Sequence, residues 1–139
     1  MISVPKNIVM LWIRRLYFVA GIYGLLVVTP QYFLESRIGL DQPPAITHPE
    51  YFYGFIGVVL VWQLVYITIG TDPIRYRPMM LLAALAKFSF TAAVAVLFAL
   101  GRIPAITCIF ASIDFALGVL FVIAFVRLRS PICGASKAR

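Results

Sequence analysis

The sequence predicts an all-α fold: a four-transmembrane-helix bundle with both termini cytoplasmic. Three observations predict it. Four stretches, at about 16–34, 51–70, 79–100 and 105–126, are each near the roughly 20 mostly apolar residues that cross a bilayer core. Of the 139 residues, 63% are hydrophobic and 12% are charged, against about 45–50% apolar and 25% charged in a soluble domain. Lys and Arg gather on alternate connections between the stretches. Little chain remains for a soluble unit, so residues 1–139 read as a single integral membrane domain.

Taken in order, residues 1–13 are mixed. Pro5, Lys6 and Asn7 precede the apolar run 8–13, which holds Trp12, and Arg14 and Arg15 follow. This pattern predicts a short interfacial segment with Trp12 at headgroup level. The first span is expected at about 16–34, with Pro30 kinking its outer end. No small-x-small cleavage site follows Val28-Thr29-Pro30, so the stretch reads as a retained span and not a signal peptide.

The outer loop, about 35–50, contains Asp41-Gln42-Pro43-Pro44, which cannot continue a helix. Glu35, Asp41 and Glu50 make it mildly acidic. Pro49-Glu50 opens the second span, with acid near the positive N-terminal dipole. Tyr51, Phe52 and Tyr53 form an aromatic girdle there, and Thr71-Asp72-Pro73 ends the span. A short connection carrying Arg75 and Arg77 leads to the third span. Gly101-Arg102-Ile103-Pro104 makes a tight turn into the fourth. Arg127 and Arg129 close it, and 127–139 is a small, polar, basic cytoplasmic tail.

Orientation follows from the cations. Lys6, Arg14, Arg15, Arg75, Arg77, Arg127, Arg129, Lys137 and Arg139 fall on one side, and Arg37 and Arg102 on the other. The positive-inside rule puts the first group in the cytoplasm. The formal net charge of +7 is therefore a topology signal, and no nucleic-acid partner is implied. The asymmetry also argues against small exporters and channels that insert in both orientations.

Lys87 and Asp114 are the ionisable residues inside spans, where each costs roughly 2.5–3.5 kcal/mol at a helix centre. Lys87 lies roughly 12 Å from the cytoplasmic end of its span and Asp114 roughly 14 Å from the outer end of its own. In a core of about 30 Å their depths nearly coincide. At about 100° per residue, Lys87 shares a face with Ala83, Ala84, Thr91 and Val94, and Asp114 shares one with Thr107, Ala111, Gly118 and Phe121. Small neighbours permit close approach. A buried Lys87–Asp114 pair is the leading expectation. Snorkelling of Lys87 to the cytoplasmic interface and an ion relay are the alternatives.

Gln63 shares a face with Ile56, Val59, Ile67 and Gly70, with Tyr66 nearby. It is expected to make an interhelical hydrogen bond or to line a cavity. Tyr17, Gly21, Gly24 and Val28 form a close-packing seam on the first span. In the outer loop, His48, Glu50 and Tyr51 are candidates for a small polar site with Glu35 or Asp41. One histidine without ligand spacing does not make a metal site. Cys108 and Cys133 are expected on opposite sides of the membrane, so they do not pair. The chain carries no nucleophile-elbow, phosphate-loop or zinc-protease motif, and no cofactor is implied.

The run from Tyr53-Gly54 through Asp72-Pro73-Ile74-Arg75-Tyr76-Arg77-Pro78, Lys87, Gly101-Arg102-Ile103-Pro104 and Asp114 to Gly118-Val119-Leu120-Phe121-Val122 resembles the DoxX-like small bacterial four-helix membrane proteins. The resemblance covers the second to fourth spans. It implies a four-helix inner-membrane bundle, with some relatives serving quinone-associated oxidoreductase complexes as small membrane subunits. This chain lacks the cysteine pairs or histidines to run redox chemistry alone, so such a link would be that of an accessory subunit.

Three functions compete. The first is a non-catalytic subunit held by the lipid bilayer and by other membrane subunits. The second is a small oligomeric transporter or channel using Asp114 and Lys87. The third is a lipid-binding or lipid-isomerising protein with a pocket near Asp114, walled by Tyr66 and Trp62.

Overall fold

The computed structural model describes residues 6–128. The expectations for residues 1–5 and for the tail beyond Leu128, including Arg129, Cys133, Lys137 and Arg139, lie outside the described residues. The elements are α1 (Lys6–Val28), a 3-10 turn (Thr29–Phe33), α2 (Glu35–Asp41), α3 (Pro49–Thr71), α4 (Arg77–Ala99) and α5 (Ile106–Arg127). Four helical segments are long and apolar enough to cross a membrane: Asn7–Phe33, Pro49–Thr71, Arg77–Ala99 and Ile106–Arg127.

Helix α1 begins at Lys6, well before residue 16, and it absorbs the expected interfacial segment. The run 8–13 contains no helix breaker. Ile13, Tyr17 and Ala20 make one buried stripe at i, i+4 and i+7, so packing holds this part of the helix in the bundle. At the other end Pro30, which has no N–H to donate, occupies the first turn of the 3-10 segment, and the α-helix stops at Val28.

The outer loop holds a short helix, α2, that was not expected. Glu35 lies in its first turn, and the Arg37 Nε donates to Asp41 Oδ2 at 2.8 Å across one turn. Pro43 and Pro44 follow directly. Helix α3 ends at Thr71, and Asp72 Oδ1 accepts the backbone N–H of Arg75 at 3.2 Å in the turn that follows. Between α4 and α5, Gly101 takes φ +66°. The Arg102 N–H reaches the Leu97 carbonyl at 2.9 Å, and the Gly101 N–H reaches Phe98 at 2.9 Å. This is a Schellman closure, which needs the left-handed conformation glycine adopts cheaply.

Helix α1 lies along α3, and α4 lies along α5. Lighter α3–α4 and α1–α5 contacts join the two pairs. They meet in one core built from Ile13, Tyr17 and Ala20 of α1, Tyr66 and Ile69 of α3, Met80, Ala83 and Ala84 of α4, and Phe121 and Ala124 of α5. All of these belong to the half of the bundle where α1 and α4 begin and α3 and α5 end. Tyr17 stacks on Phe121 with centroids 4.3 Å apart, and Tyr66 meets the same ring edge-on at 5.2 Å. The outward faces are apolar, with Val19, Leu26, Val61, Leu64, Leu85 and Ile109 exposed. That surface suits hydrocarbon and not water.

Candidate functional site: an ion pair within the spans

The Gly101 turn makes α4 and α5 antiparallel neighbours, so residues near their middles come level. Ala83 and Ala84 on α4, with Ala111 and Gly118 on α5, are buried and let the helices close on each other. At Gly118 a methyl would come within 2.8 Å of the Phe88 ring, which shows how little room remains. Thr91 ties the seam. Its Oγ1 lies 3.0 Å from the Lys87 carbonyl and 3.2 Å from that of Ala111.

Between these contacts the Lys87 Nζ donates to Asp114 Oδ1 at 2.7 Å, with side chains 10% and 19% exposed. Lys87 therefore does not snorkel to the interface. An acid one lysine stem away offers a partner without lifting the ammonium out of the bundle. The same Nζ lies 5.5 Å from the centroid of the buried Tyr66 ring, whose electron-rich face adds a cation–π contact. Trp62 stands behind it, with ring centroids 6.1 Å apart. The pair cancels two charges that neither water nor lipid would solvate there.

Gln63 is buried, yet it makes no interhelical hydrogen bond. Its Nε2 donates to the Val59 carbonyl of its own helix at 2.9 Å, and its Oε1 is buried without a hydrogen-bond partner. The carboxamide instead fills the space beside Gly24, where a side chain on α1 would otherwise begin. Gly21 does the same for Ile67. Gly21 and Gly24 thus make the surface that receives α3, while Tyr17 on the same helix stacks on α5. Sequence reasoning did not single out the Tyr17 hydroxyl, which is fully buried with no partner among the described residues. An ordinary core tyrosine carries no signal that would have marked it.

The outer-loop candidates do not form one cluster. His48 Nδ1 and Glu50 Oε1 lie 3.2 Å apart, and Tyr51 packs against the imidazole at 5.6 Å between centroids. Glu35 instead accepts the Tyr53 hydroxyl at 2.6 Å, and Asp41 is held by Arg37. Neither acid joins the His48 group, because each already has a nearer donor. Among the described residues no three His, Cys, Asp or Glu side chains are grouped to hold a metal ion.

A groove of about 280 Å³ runs between α4 and α5, lined by Thr91, Val94, Phe98, Cys108, Ala111 and Ser112. It starts at Thr91, one turn beyond Lys87, and runs away from the core.

These features define a multi-pass helical membrane protein with an internally neutralised charge pair. No family model, curated protein or solved structure matches the chain.

Proposed function

We propose that this chain is a non-catalytic, accessory subunit of a membrane complex, set in a bacterial inner membrane with both termini in the cytoplasm. The observation that carries the reading is the closed Lys87–Asp114 pair. The charges within the spans satisfy each other at 2.7 Å, and the bundle turns an apolar exterior to its surroundings. Such a protein offers neighbours a packing surface and keeps its polar groups for its own fold. The distribution of Lys and Arg supports the orientation. The DoxX-like resemblance supports an accessory place beside a quinone-linked oxidoreductase. The test is the native mass of a tagged chain after gentle detergent extraction, with co-purifying proteins identified by mass spectrometry. A reproducible larger complex supports the reading. A lone monomer or homo-oligomer overturns it.

The groove beside the pair favours a second reading, a lipid-binding protein. Thr91 and Ser112 stand among apolar groups in its lining, and Thr91 lies one turn from Lys87. A lipid or sterol that raises thermal stability in the wild type, and no longer does so in Asp114→Asn, would support it. Equal stabilisation of both proteins would count against any role for Asp114.

A further inference from the structure

One end of the bundle carries a charge imbalance that the protein does not resolve. The start of α1, the α3–α4 connection and the end of α5 bring Arg14, Arg15, Arg75, Arg77 and Arg127 to that end. Among the described residues none of the five is in an ion pair. The chain has five acids, Glu35, Asp41, Glu50, Asp72 and Asp114. Glu35, Asp41 and Glu50 belong to the opposite end, and Asp114 is taken by Lys87. Only Asp72 remains, and its Oδ1 accepts a backbone N–H. Among the described residues, then, five arginines share that end of the bundle with a single acid.

Three of these guanidinium groups are held in place by aromatic rings. Arg77 lies over Phe125 at 4.0 Å, and its Nη2 donates to the Phe125 carbonyl at 3.3 Å. Its Nε is buried and has no partner. Arg127 lies 5.9 Å from the Trp12 centroid, and Arg75 lies 5.6 Å from that of Tyr76. Ring contacts orient a cation without cancelling its charge. Trp and Tyr beside arginine at the end of a span mark headgroup depth, where the available anions are lipid phosphates.

We propose that this end binds anionic phospholipid headgroups, with the exposed Arg127 in the last turn of α5 as the principal phosphate contact and Arg14, Arg15, Arg75 and the partly buried Arg77 as supporting charges. Guanidinium suits the role, because its planar fork donates two hydrogen bonds to one phosphate. The site does not depend on the accessory-subunit reading.

The test uses the full chain in a neutral detergent, titrated with phosphatidylglycerol, with phosphatidylcholine, or with inorganic phosphate. Bound lipid is read by native mass spectrometry, and unfolding temperature is followed in parallel. The wild type should retain phosphatidylglycerol in preference to phosphatidylcholine and melt later with it. Each arginine removed should weaken retention about fivefold. Arg127→Gln and Arg14→Gln are exposed positions outside the core and are read first. Arg77→Gln follows, and Arg102→Gln at the opposite end should behave as wild type. Equal retention of the two lipids, or unchanged retention in the Arg14 and Arg127 variants, overturns the proposal. Stabilisation by inorganic phosphate equal to that by phosphatidylglycerol overturns the lipid assignment.

Discussion

Lys87 Nζ and Asp114 Oδ1 stand 2.7 Å apart across the α4–α5 seam, and each is the other's sole ionic partner among the described residues. Removing one partner leaves an uncompensated charge among apolar neighbours. Lys87→Met and Asp114→Asn should each destabilise the bundle by about 3 kcal/mol. The double substitution should recover most of that loss. Thermal unfolding of all four proteins in one detergent closes the cycle. Simple additivity of the two losses would mean that the pair is not coupled.

Gly24 faces the Gln63 carboxamide with no space for a methyl group. Gly24→Ala should cost roughly 1–3 kcal/mol by overpacking. Adding Gln63→Ala should restore much of it, since the shorter side chain vacates the contested space. Stability of the single and double variants checks this. A single variant as stable as wild type would show that the α1–α3 seam yields easily.

The Tyr17 hydroxyl and the Phe121 ring make opposite predictions within one stacked pair. Tyr17→Phe removes an unpartnered buried polar group and should be neutral or stabilising by about 1 kcal/mol. Phe121→Ala empties the centre of the core and should cost about 3–5 kcal/mol. A clear loss of stability in Tyr17→Phe would reveal a partner for the hydroxyl, such as a bound water.

Glu35 and Tyr53 tie α2 to the first turns of α3. Tyr53→Phe should leave the four long helices intact while speeding hydrogen exchange across 35–48. Unchanged exchange there would show that Pro43, Pro44 and the Arg37–Asp41 pair hold the loop by themselves.

Much of the bundle was legible because a helix in lipid must satisfy its own backbone, so length and apolarity identify it. Helical periodicity also sorted residues into faces. Ala83, Ala84, Lys87 and Val94 are buried together, as are Ala111, Gly118 and Phe121. Helix α2 was missed because seven residues are too few to display a period. The start of α1 was misplaced because two arginines resemble a span boundary when read alone. Ile13 is at 0% exposure, and burial of the stripe it shares with Tyr17 decided otherwise.

Four long apolar helices, a basic end and a leading Lys87–Asp114 pairing could all be read from residue order. Depth follows from counting residues along two helices joined by a tight turn. Helix packing set the rest: Gln63 turns back to Val59 and nests against Gly24, and Tyr17 and Tyr66 both meet the Phe121 ring, one stacked and one edge-on. Those outcomes depend on the rotation and axial offset of helices distant in sequence. Periodicity fixes which residues share one helix's face, and carries no information about which face of a neighbour they meet.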